Sequence, residues 1–132
     1  MERLRKTDPG SRLVILGVGQ ELDGDDAAGL LVVRRLATRI PAQGAVRLIE
    51  GGSAPENFLG AIERFDPGLV LLIDALDAQE TPGRIFWVEE AEISGFSAST
   101  HSLPLTLFMD YLRSSSHSEI GLIGIQPEAI AF

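Results

Sequence analysis

The chain has 132 residues, 45% of them hydrophobic and 23% charged, which is enough apolar material for one buried core and too much for a disordered chain. Eleven Lys and Arg against nineteen Asp and Glu leave a net charge of -8, so the sequence lacks the basic stripe that nucleic-acid binding needs. With no cysteine, a disulfide framework, a thiolate zinc site and a cysteine nucleophile are all excluded, and any metal must be held by oxygen and imidazole.

The N-terminus, Met1 to Gly10, is polar and basic without an apolar core, so no secretory signal is expected in it. No apolar run approaches the ~18 residues of a membrane span, and the expectation is a soluble, cytoplasmic protein with a single domain over 1–132. Leu13 to Leu16, stopped by Gly17-Val18-Gly19, reads as a strand buried on both faces. Leu30, Val33, Ala37 and Ile40 then recur at helical spacing until Pro41 and Gly44. Val46 to Ile49 is the second strand, ending in Glu50-Gly51-Gly52. Ser53 and Glu56 have capping-box spacing, predicting a second helix over Ala54 to Phe65. Leu69 to Ile73 forms a third buried strand that ends on Asp74. Only about ten residues, including Pro82-Gly83, separate it from a fourth strand at Arg84 to Val88; a parallel crossover needs a dozen or more, so strand four is predicted antiparallel. Glu89 to Ser99 reads as a loop with a short helical turn. Leu103, Leu107 and Tyr111, with Phe108 and Leu112, predict a third helix, and Ile120 to Ile125 a fifth strand. Strands alternating with helices give a three-layer α/β/α fold, its five-stranded sheet mostly parallel with one antiparallel strand. In such folds the site lies at the carboxyl ends of the strands.

That rule selects Asp25 and Asp26 after strand one, Glu50 to Ser53 after strand two, and Asp74 after strand three. Asp25 reads as a helix cap, since an acid in a first turn meets the helix dipole favourably. Asp74 reads as functional, because a buried strand carries its carboxylate to the active edge, where desolvation must be offset by a cation or a donor. His101, before Ser102-Leu103-Pro104, can join two carboxylates there. Such a set without thiolate suits a borderline divalent ion, imidazole favouring Ni, Zn or Fe over Mg or Ca. His117, among serines, reads as solvated. Leu22 stands where a dinucleotide fingerprint needs its third glycine, and H-E-x-x-H, G-x-S-x-G and P-loop motifs are absent. Ser53 is explained as a cap rather than a nucleophile.

Five co-linear segments carry a resemblance. They are Gly17 to Gly29, Glu50 to Asn57, Ile73 to Asp77, Thr100 to Leu105, and Gly121 to Pro127. Together they resemble the [NiFe]-hydrogenase maturation endopeptidases, most of all the subgroup serving the formate-hydrogenlyase-type hydrogenase. The resemblance implies a protease that removes a C-terminal extension from the hydrogenase large-subunit precursor after nickel insertion, with nickel carried by that precursor. It implies Asp26, Asp74 and His101 as metal-recognising residues and Glu50 as a substrate contact, and it designates no catalytic nucleophile. Two departures stand out. Gln20 replaces the family's usual Asn, and the chain ends at Phe132, before the family's closing helix, which implies an uncovered apolar sheet face. Two rivals are an inactive binding module of the same fold and a phospho-acceptor receiver domain. The receiver needs a lysine after strand five, and the only lysine is Lys6.

Overall fold

A computed structural model describes residues 12–19, 27–40, 44–89, 92 and 105–128. The apolar runs become strands β1 (Leu13–Val18), β2 (Val46–Gly52), β3 (Leu69–Ala75), β4 (Ile85–Val88) and β5 (Glu119–Ile125). Three helices accompany them: α1 (Ala28–Ala37), α2 (Leu59–Phe65) and α3 (Leu105–Ser115). The sheet order is β2-β1-β3-β5-β4, parallel except for β4, which runs antiparallel to β5 with Ile85 opposite Ile125 and Val88 opposite Leu122. The short Pro-Gly link therefore does what its length requires: it turns the chain back instead of crossing it over.

Side chains alternate across the sheet and divide its core in two. Val14, Leu16 and Val18 of β1, Val70 and Leu72 of β3 and Leu122 of β5 pack with Ile62 of α2 and Leu105, Phe108, Met109 and Leu112 of α3. On the other face Ile15 and Ile73 pack with Val33 of α1. On the edge strand β4, Ile85 and Trp87 stay 68% and 56% exposed, with the Trp87 ring lying against Gly121.

Several boundaries differ from the sequence reading. Gly51 and Gly52 continue β2 rather than ending it, because Glu50 still pairs with Gly17 and Gly52 with Val18, Gly51 being the extra residue at the shift of register. The second helix begins as a 3₁₀ turn, Pro55–Phe58, whose cap position falls on Ala54 and has no side-chain bond. Pro55 sits in the first turn, where its missing N–H costs nothing and its fixed φ starts the turn, and the cap lies one residue beyond Ser53. Helix α1 likewise has Ala27 at its cap and no acid in its first turn. Asp25, read as a helix cap, lies outside the described residues. In α3 the buried stripe is Leu105, Phe108, Met109 and Leu112, which is the full i, i+3, i+4, i+7 set, while Leu107 and Tyr111 face outward. Most of the acidic loop read between strand four and the third helix lies outside the described residues.

One contact fixes the position of α1. A Cβ on Gly29 would collide with the carbonyl oxygen of Ile73 and come 2.7 Å from that of Val18, and a Cβ on Gly17 would collide with the Gly29 carbonyl. The opposing atoms are backbone and cannot swing aside. Gly29→Ala is expected to lower the unfolding free energy by about 3 kcal/mol, read from the denaturant midpoint.

Candidate functional site

Asp74 lies at the carboxyl end of β3, within the strand rather than after it, and is 0% exposed. By alternation it shares the face of Val70 and Leu72, the face covered by α2 and α3. Its neighbour on β5 is Gly124, and its Oδ1 accepts the Ala75 N–H at 2.8 Å.

Glu50 is placed differently. It lies opposite Gly17, in phase with Leu48 and Ile15, and so belongs to the α1 face of the sheet. Its Oε1 accepts from Arg34 Nε of α1 at 2.7 Å, both side chains being partly exposed. Two strand spacings, about 10 Å, separate its Cα from that of Ile73. The residues expected to act together at this edge are therefore divided: Asp74 lies buried under α2 and α3, while Glu50 is paired with Arg34 on the opposite side. Asp26 and His101 lie outside the described residues. Among the described residues no group of three or more His, Cys, Asp or Glu could hold a metal ion.

Gln126 entered the sequence analysis only within the Gly121 to Pro127 segment that carries the resemblance, with no role assigned to it. It is 7% exposed just beyond β5, and its Oε1 accepts from Ala78 N at 2.8 Å and Glu80 N at 3.2 Å. Its Nε2 donates to Asp77 Oδ1 at 3.1 Å and to the Pro127 carbonyl at 3.2 Å. Every donor and acceptor of the amide is thereby used. Its sequence signals were its place in that segment and its position as a polar residue following an apolar strand at its carboxyl end. The same bonds count against the receiver-domain reading, since the position after β5 holds a committed neutral amide in place of a lysine.

Asp77 Oδ1 also accepts the Gln79 N–H at 3.0 Å. The Gln126 amide, and after it the Gln79 N–H, hold the Asp77 carboxyl below the usual aspartate range, against a small opposing effect of burial. A depressed folded-state value favours the folded state above the unfolded pKa of about 3.9, and that contribution is lost as pH falls through the folded value. In an acid titration followed by NMR the Asp77 carboxyl is expected to titrate low, and Gln126→Ala should move its midpoint upward. The exposed Arg34–Glu50 pair should matter little to folding: Glu50→Gln is expected to change the unfolding free energy by less than about 1 kcal/mol in denaturant melts.

Comparison with known proteins agrees with this fold. The family model for hydrogenase maturation proteases (HycI) matches residues 30–132. The Hydrogenase 3 maturation protease of Escherichia coli K12 is 37% identical over 120 residues, covering 90% of this chain and 75% of its own. The crystal structure of the [NiFe] hydrogenase maturation protease HycI from Thermococcus kodakarensis KOD1 superposes with a TM-score of 0.80 at 35% identity, over 92% of this chain and 77% of that one. The solution structure of the endopeptidase HycI from Escherichia coli gives a TM-score of 0.75 at 33% identity, over 92% and 76%. With the fold and most of the chain matched, the protein belongs to the hydrogenase maturation protease family.

Proposed function

We propose that this peptidase removes the C-terminal extension of a [NiFe]-hydrogenase large-subunit precursor after nickel has been inserted, and that Asp26, Asp74 and His101 recognise the nickel the precursor carries. The observation that carries this reading is Asp74, a carboxylate with 0% exposure at the carboxyl end of a central strand. A fully desolvated carboxylate at the edge where α/β folds place their ligands is suited to a cation. The chain order supports bringing the other two residues to that edge. Asp26 immediately precedes Ala27, the cap of α1, and α1 touches the carboxyl ends of β1 and β3 at Gly29. His101 precedes Leu105, the first residue of α3, by four positions. The carboxyl end of α3 leads within four residues into the start of β5, so its amino end is directed toward the same edge as Asp74.

The donor set fits a metal that arrives with the substrate. Two carboxylates and one neutral imidazole, with no thiolate, make a modest site for nickel, so the precursor supplies the remaining ligands. The protein's share is to read the loaded ion and hold the adjoining chain. Glu50 has a place as a substrate contact once the substrate chain draws its carboxylate from Arg34. The similarity to hydrogenase 3 maturation proteases favours a precursor of that type.

The test is conversion of nickel-loaded precursor to its shortened form, followed on a gel and by intact mass, with nickel-free precursor as control. Wild type should cleave only the loaded form. Substitution of groups that merely support a metal ligand costs 10–100-fold, so Asp74→Asn and His101→Ala, which remove direct ligands, should each slow cleavage by about 100-fold or more with circular dichroism unchanged. Equal cleavage of nickel-free precursor, or full activity of both variants, would remove metal recognition from this account.

A further inference from the structure

The segment leaving Asp74 is tied to the end of β5 by an unusual concentration of bonds. Backbone pairing supplies Leu76 N to Ile125 O at 3.1 Å, Gly83 N to Gln126 O at 2.9 Å and Gln126 N to Arg84 O at 2.9 Å. Between these ties the backbone N–H groups of Ala78, Gln79 and Glu80, three in succession, converge on two side-chain oxygens. Gln126 Oε1 takes the first and third, Asp77 Oδ1 takes the second, and Gln126 Nε2 joins the two acceptors. At the centre Gln79 has φ +57°, a left-handed conformation that costs a non-glycine residue energy and persists only where its surroundings impose it.

Nothing in the core demands this arrangement. Gln79, Glu80, Thr81 and Pro82 are exposed, and the turn contributes no side chain to either core cluster. It begins three residues after Asp74, so the Cα of Asp77 lies at most about 11 Å from that of Asp74. A strained, over-determined and exposed turn next to a buried functional carboxylate has the properties of a preorganised substrate contact.

Resting on the functional reading above, we propose that Gln126 is a positioning residue: it clamps residues 77–80 into a fixed wall along which the precursor chain lies when its metal reaches Asp74. Gln126 touches no reacting atom. It acts through the turn, so its loss weakens productive binding while the chemistry proceeds once the substrate is bound.

The experiment compares wild type with Gln126→Ala, Gln126→Glu and Gln126→Glu/Asp77→Asn in the full chain, using nickel-loaded precursor. KM and kcat are measured beside amide hydrogen exchange of residues 78–80. Gln126→Ala is expected to raise KM about tenfold with kcat held, the size of effect that follows when a set of hydrogen bonds is lost, and to remove the protection of the three amides. Gln126→Glu keeps an oxygen for Ala78 and Glu80 but sets a second carboxylate against Asp77, and should be impaired to a similar degree. Adding Asp77→Asn replaces that repulsion with a donor and should restore KM toward wild type, a rescue that general destabilisation would not produce. Wild-type KM in Gln126→Ala despite lost amide protection, a fall in kcat alone, or no rescue by the double variant would each overturn the positioning role while leaving the peptidase reading intact. Failure of wild type to shorten loaded precursor would overturn the peptidase reading, and the positioning role with it. If Gln126→Ala does not fold, the Gln126→Glu pair decides on the same readouts.

Discussion

The carboxyl edge of this sheet is organised by backbone meeting backbone. Where α1 crosses β1 and β3, Gly29 lies against the carbonyl oxygens of Ile73 and Val18, and Gly17 lies beneath the Gly29 carbonyl, with no room for a side chain at either glycine. This approach draws the start of α1 onto the strand ends, beside the carboxyl end of β3 where Asp74 lies. A larger residue at either glycine would lift the helix and widen the edge. The cost of glycine in a helix is small beside that loss.

The buried carboxylate and the clamped turn address one difficulty from two sides. Asp74 gives up water, which is tolerable only if its surroundings are fixed and complementary to a charge. The chain beyond it must then pass from a buried strand to an exposed turn without abandoning its N–H groups. Gln126 and Asp77 receive three of them in sequence and also hold each other. Rigidity at this edge therefore comes from polar groups that are fully matched, while the apolar packing of α2 and α3 lies deeper beneath.

Glu50 illustrates how a sheet separates residues that the sequence places alike. Both Glu50 and Asp74 are acids at strand ends, and both were expected at one site. Strand alternation turns one toward α1 and Arg34 and the other toward α2 and α3. Which way each would face depends on register, and a shift of one residue would exchange the two.

Composition, periodicity and punctuation by themselves determined a great deal. The absent cysteines restricted any metal chemistry to oxygen and imidazole donors, the continuous apolar runs marked the strands, and the length of the Pro-Gly link set the direction of β4. These are local properties, written in neighbouring residues, and local sequence is sufficient to read them. The tertiary structure alone decided the rest. In a run such as Leu69 to Ile73 both faces are apolar, so nothing in it says which side Asp74 will take. The burying stripe of α3 was ambiguous between adjacent apolar sets until the sheet selected Leu105, Phe108, Met109 and Leu112. Gln126 stood out only as part of a motif and its role stayed hidden, because its partners at Asp77, Ala78 and Glu80 are more than forty residues away in sequence and meet it only when β5 inserts beside β3.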